Sequence, residues 1–464
     1  MRSNTRRQFL IGCTTAVAAS GVLSGANEAG ASVDGKKETG GLQSEPPEAA
    51  TGWSTMRGDC GRTAAVGTVD GFDEGYEFDA LETDWRTDAE ALPVVVDGTA
   101  YLSDEGTVQA LNAADGTLEW RSEDVATDGQ PTAAYGNVYV SGDDTVAALD
   151  AATGDVRWQT AVASADGAAI ESPTVAFGIV YAFAGGSLTA VDCETGTVEW
   201  VRESISVSDG DPWTTQTAAS RALESCVVAA DDCIFSIAEE GTIACLNPLT
   251  GECELAIETD YYYLYDLVAT ENKVFVRTES EVVAAYDSST GERDEIWHGG
   301  IRRVAVREDV LLFATRYKLI AVDLETGDER WSIGKYSHAI GDPVIAHDTV
   351  LVSVGLQGGQ YENSLVAFDI ESGVEQWSYS RSESANVGER CAVADRTIYI
   401  DDDGLTAIRA SPDDREDGTE GNERTRNCGS EAESEVTGRK DDTGFEYRQR
   451  RNQRSRPYRR SERV

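Results

Sequence analysis

Cysteine is the residue type most able to do chemistry in this chain of 464 residues, which holds nine of them. Cys226, Cys233, Cys245 and Cys253 crowd into one short stretch. Cys245 and Cys253 flank the Thr250-Gly251 pair, where they are expected to face one side of a hairpin, close enough for a disulfide. Plain buried thiols and a metal site made by all four are the alternatives, and the lack of a tight Cys-x-x-Cys pair speaks against the metal. His298, His338 and His347 are scattered, and no nucleophile–base pair is suggested, so no residue is assigned a catalytic role and no metal ligand is named. A second set, Gln130, Glu171, Ser172, Asp266, Arg302, Arg303, Asp342 and Glu389, lies at or just before the starts of alternating apolar runs. Acids mixed with an arginine pair could hold a cation or a small polar ligand if the fold gathers them at a channel mouth; otherwise they are solvated turn ends. The insertion 208–215, which carries Trp213, and the run Tyr261-Tyr262-Tyr263-Leu264-Tyr265 are further contact candidates, although a strand could also turn the tyrosines alternately in and out.

The elements that must position these residues repeat. Ala190-Val191-Asp192-Cys193-Glu194-Thr195-Gly196-Thr197-Val198-Glu199-Trp200 has counterparts at 110–120, 148–158, 244–255, 285–297, 321–331 and 367–377. In each, an apolar pair leads into a turn in which an Asx side chain can accept backbone amides and glycine supplies a positive φ. A tryptophan then closes a second strand with more apolar surface than one small sheet can bury, so it is expected to pack on the neighbouring unit. Upstream of each copy stands another alternating run, such as Val138-Tyr139-Val140, and an eighth, Ile398-Tyr399-Ile400, has no Thr-Gly turn after it. Near the N-terminus, 78–85 is a lone strand ending in Trp85. The two leftovers complete each other. The expectation is an all-β, eight-bladed propeller of four-stranded antiparallel blades, the last closed by the N-terminal strand.

Asp and Glu number 83 against 39 Lys and Arg, a net charge of −44. Such acidity keeps a protein soluble by repulsion and suits concentrated salt; a cation-binding or basic-partner role is the other reading. It disfavours nucleic acid, whose phosphates want a basic face. Residues 1–31 read as a twin-arginine export signal (Arg6-Arg7 before an apolar stretch), giving an extracellular or cell-surface protein. Leu10-Ile11-Gly12-Cys13 resembles a lipoprotein box, but it stands before the apolar run, where cleavage would leave that run on the mature chain. Residues 32–52 read as a disordered linker, 53–411 as the propeller and 412–464 as a disordered tail whose end is rich in arginine. No transmembrane span is expected in the mature domain, and the chain is expected to be monomeric.

The repeats, the lead-in Trp53-Ser54-Thr55-Met56-Arg57-Gly58-Asp59-Cys60-Gly61-Arg62-Thr63 and the export signal together resemble the pyrroloquinoline-quinone-like propeller repeat family, in the form exported by salt-loving archaea. The family spans quinone-dependent alcohol dehydrogenases, an outer-membrane assembly lipoprotein and sensor domains, so the resemblance implies fold more than activity. For the dehydrogenases it implies a cofactor on the propeller axis, with adjacent cysteines forming a vicinal disulfide, a tryptophan floor, a calcium-binding Glu/Asn pair and a catalytic Asp. No two cysteines here are adjacent, and the chain lacks the length of those enzymes' insertions. The sequence is therefore read as an exported, non-enzymatic platform binding a protein or cell-surface polymer, with no cofactor expected. The alternative is an alcohol or sugar oxidoreductase using pyrroloquinoline quinone with calcium.

Overall fold

The computed structural model describes residues 52–66 and 81–410, less 163–169, 208–218, 335–339, 356–360, 381–386 and a few single positions. The expected export signal, nearly all of the linker, the Trp213 insertion, His338 and the C-terminal tail lie outside the described residues.

Eight sheets are formed. Blade 1 holds Val94–Val96, Thr99–Asp104, Thr107–Asn112 and Leu118–Ser122, and the pattern repeats with inner strands at Thr132–Ala134, Thr174–Ala176, Ala219–Ala230, Leu264–Ala269, Ile301–Arg307 and Val344–Ala346. The eighth blade runs Cys391–Ala394, Thr397–Asp401, Leu405–Ala410, and its outer strand is Leu81–Arg86, antiparallel to Leu405–Ala410 with Trp85 opposite Ala407. Closure by the N-terminal strand is thus as expected.

Each turn is built alike. Asp192 N–H donates to Thr197 O at 2.8 Å, and Asp192 Oδ1 accepts from the amides of Glu194 (3.1 Å) and Thr195 (2.7 Å). Such bonds favour the ionised carboxylate: at Asp287 the Ser289 hydroxyl and the Thr290 amide hold the pKa at about 2, and at Asp323 the Arg330 guanidinium does the same. Gly196, at φ 71°, leaves room for the Trp158 ring of the preceding blade, since a Cβ there would stand 2.7 Å from it. The indole of Trp158 in turn donates to Cys193 O at 3.1 Å. Trp120 to Ala151 O (2.9 Å), Trp200 to Pro248 O (2.9 Å) and Trp331 to Ile370 O (2.8 Å) repeat this seam. At the closing seam Trp85 donates to Ala113 O at 3.0 Å, and Arg409 adds bonds to Ala113 O at 2.8 Å and Ala114 O at 3.2 Å. Burying an indole while satisfying its N–H is what makes these contacts directional as well as apolar.

The fifth blade corrects the sequence alignment. Ala285 faces Glu295, whereas the matching alanines of other blades face tryptophan, as Ala190 faces Trp200. Trp297 lies two residues further along, opposite Val283, with its ring stacked on Phe275 at 6.4 Å. Aligning on the tryptophan added two residues to the unit and hid a seam in which Glu295, an exposed carboxylate, takes the place over Gly327. Glu295→Trp is expected to fill that place and reach the Leu324 carbonyl, raising stability by roughly 1–2 kcal/mol, readable as a shifted denaturant midpoint.

Candidate functional site at the propeller axis

The inner strands surround the axis, and each would leave an unpaired edge there. Residues 52–66 supply partners for six of the eight. Gly52–Trp53 pairs antiparallel with Val95 and Val96 of blade 1, and Ala65–Val66 pairs parallel with Ile345 and Ala346 of blade 7. Between them, Ser54 O accepts from Ala133 N–H at 3.0 Å, Cys60 O from Ala229 at 2.9 Å, Gly61 O from Ala269 at 2.9 Å, Thr63 O from Val306 at 2.8 Å and Ala64 O from Ile345 at 2.9 Å. The segment therefore passes round the inside of the ring, bonding blades 1, 2, 4, 5, 6 and 7 in order. Gly61 is needed for close approach, because a Cβ would overlap the Ala269 carbonyl oxygen. Trp53 (4% exposed), Ala64 (2%) and Val66 (5%) join the apolar core shared with blades 1, 6, 7 and 8.

Charged groups of this segment meet the mouth residues singled out from the sequence. Arg57 donates to Val304 O and pairs with Asp266 at 3.5 Å. Asp59 is half-buried and takes the Thr63 amide (2.9 Å) and hydroxyl (2.6 Å) on its two oxygens; desolvation raises its pKa against the pull of those bonds and of Arg57. Burial also pushes the Cys60 thiol up to about 12, so it is no thiolate nucleophile. Arg303 pairs with Asp342 at 3.1 Å; burial raises the Asp342 pKa, and Arg303, Arg57 and Arg390 oppose the rise. Asp266 and Arg303 share a crevice between blades 5 and 6 with Val268, Phe275, Arg277 and Val304. Ser172 lines a recess of about 10 Å³ with Thr55, Asp59, Arg62 and Thr132, no more room than a single water needs.

The predicted set is only partly assembled. Asp266, Arg303 and Asp342 stand around Arg57, whereas Gln130 donates to Leu92 O at 3.0 Å and leaves its own buried oxygen without a partner. Arg302 is exposed, and Glu171 and Glu389 lie outside the described residues. Arg57, Asp59 and Arg62 were not among the sequence candidates; the signal for them was a non-repeating segment that combines charges with Gly58 and Gly61.

The cysteine pairing also differs. The disulfide joins Cys233 to Cys245, with Cα atoms 5.8 Å apart, and Cys253 is a free, half-buried thiol. Asn247 holds the position of Asp192, so Cys245 matches Ala190 and not Val191. That offset of one residue puts Cys245 on the face towards blade 5 and Cys253 on the face towards blade 3. Cys233, on the adjacent strand, shares Cys245's face. Among the described residues no group of three or more His, Cys, Asp or Glu could hold a metal ion, and no helix is long and apolar enough to cross a membrane.

A flat tricyclic quinone seated on the axis needs a cavity of several hundred Å³. The described residues do not fit it: the axial space is taken by main chain that is hydrogen-bonded to six blades, and the recess beside it holds about 10 Å³.

The architecture and its seams define an eight-bladed propeller of repeated four-stranded units. The chain belongs to the family described as outer membrane protein assembly factor BamB, whose model matches residues 62–211, 204–298 and 294–425. No curated protein sequence matches the chain. Among solved structures it is similar to the quinohemoprotein alcohol dehydrogenase from Comamonas testosteroni (14% identity, TM-score 0.57, 75% of this chain and 76% of that one). It is also similar to BamB from Moraxella catarrhalis (16%, 0.52, 71% and 98%) and to the computationally designed Ika8 protein (14%, 0.57, 71% and 100%). Identities this low speak for the fold alone.

Proposed function

We propose that this chain is an exported, non-enzymatic propeller that serves as a binding or assembly platform at the cell surface of a salt-adapted organism. The observation that carries the reading is the filled axis. Where the resemblance to dehydrogenases implies a cofactor, residues 52–66 run through the ring and hold its inner edges. Family membership points the same way, since its description is that of an assembly factor. The twin-arginine sequence supports export, and the charge of −44 supports a concentrated salt environment.

The competing reading, a quinone-dependent alcohol or sugar dehydrogenase, is tested on the purified protein in molar salt. Pyrroloquinoline quinone and calcium are added, and bound-cofactor absorbance and dye reduction by alcohols and sugars are recorded. No saturable binding and no turnover are expected. Robust turnover would overturn the platform reading.

A further inference from the structure

The exposed aromatic side chains of the described propeller concentrate in one loop. Tyr262 and Tyr263 are 60% and 54% exposed on the connection from the outer strand of blade 4 (Cys253–Glu258) to the inner strand of blade 5 (Leu264–Ala269), and Tyr265, 53% exposed, is the second residue of that inner strand. The loop is held in place. Glu279 accepts from the amide of Tyr263 at 2.9 Å, Glu279 N–H donates to Tyr263 O at 3.1 Å, and the Thr259 amide and hydroxyl donate to Gly241 O at 3.1 and 2.8 Å. The Tyr262 and Tyr263 rings meet edge to face at 4.7 Å, and Tyr265 carries the Arg277 guanidinium 5.2 Å from its centre. Exposed carboxylates stand on the loop and on the two turns beside it: Glu239, Glu240, Glu258, Asp260, Glu279 and Glu281.

We propose that this tyrosine loop is the seat for an arginine-rich extended segment of a protein partner, an inference that rests on the platform reading and gives it a surface. Rigid tyrosines offer contact area at low entropic cost, the usual chemistry of binding anchors. Glu240 and Glu258 already hold Arg221 and Asp260 holds Arg293, so carboxylates of this patch take guanidinium groups within the chain itself, with Glu281 left over for an incoming one, and the Arg277–Tyr265 contact displays the pairing that an incoming arginine would make with Tyr262 or Tyr263. Arginine is favoured over lysine because its planar guanidinium stacks on a ring while its N–H groups reach carboxylates.

The test uses the full chain in molar potassium chloride, where long-range attraction is screened to about 3 Å and contact terms dominate. A synthetic arginine–serine peptide, its lysine–serine counterpart of equal charge and a neutral oligosaccharide are titrated by calorimetry. They are run against the native protein, the combined Tyr262→Ala/Tyr263→Ala/Tyr265→Ala variant and the corresponding triple Phe variant, with melting temperatures checking that each is folded. The arginine peptide is expected to bind best, to lose roughly tenfold in affinity on the Ala variant and to be unaffected by the Phe variant. Equal binding of the lysine peptide, unchanged binding to the Ala variant, preference for the oligosaccharide, or no binding of the arginine peptide would each overturn the proposal. Those failures leave the platform reading standing, because that reading falls on quinone turnover, which the tyrosine variants do not touch.

Discussion

Deleting residues 1–90 is expected to abolish cooperative folding, whereas deleting 413–464 is expected to leave the melting temperature within about 2 °C of the full chain. The N-terminal deletion removes two things at once. It takes away Leu81–Arg86, leaving blade 8 with three strands, and with it Trp85, whose ring lies 5.9 Å from Tyr399 and whose indole bonds blade 1. It also strips the inner edges of six blades of their partners in 52–66. A buried donor left unpaired costs about 1–3 kcal/mol, and five inner-strand amides from Ala133 to Ile345 would be orphaned together, a sum comparable to the whole stability of a domain. The tail segment, by contrast, offers almost no apolar side chains. Unfolding by chemical denaturant and protease resistance, both in high salt, measure the difference. An N-terminal deletion as stable as the mature chain would contradict the closure and the axial packing alike.

The second large effect is that of salt. Segments 1–51 and 411–464 each hold equal numbers of acidic and basic residues, so the entire charge of −44 falls on residues 52–410. Arg330 contacts Asp309, Asp323 and Glu371, an instance of how few cations serve many carboxylates. Screening shortens from about 30 Å at 0.01 M to 3 Å at 1 M, so the melting temperature is expected to rise on the order of 10 °C between dilute and molar potassium chloride. A flat or falling profile would mean that the acidity serves something other than salt adaptation.

Most of the ring was legible from residues because most blades state the same rule: an Asx turn, a glycine beneath the preceding blade's ring, and a tryptophan on the next strand. Closure was legible because Trp85 and Tyr399 were both left without a unit. What failed was register. Trp297 drew the alignment two residues along because a tryptophan is a stronger pattern than the Glu295 that occupies the place. Cys245 and Cys253 were set on one face by a one-residue misplacement, to which a strand's period of two is unforgiving. The axial path of 52–66 was illegible for a different reason. Its hydrogen bonds use main-chain carbonyls, which no side-chain pattern records, and only Gly61 betrays the close approach to a blade. Of the mouth residues, Asp266, Arg303 and Asp342 were placed by strand position, but their partner Arg57 is more than two hundred residues distant from the first of them.

Main chain occupies the axis, and amide hydrogen exchange registers that occupancy residue by residue. Ala133, Ala229, Ala269, Val306 and Ile345 lie on inner strands and donate to carbonyls of residues 54–64. Exchange followed by residue-resolved mass spectrometry or NMR in molar salt is expected to show these five amides protected like those of the central strands. If they exchange at the rate of solvent-facing edge amides while the central strands stay protected, the axis is open, and both the anchoring role of the lead-in and the argument against a cofactor seat are wrong.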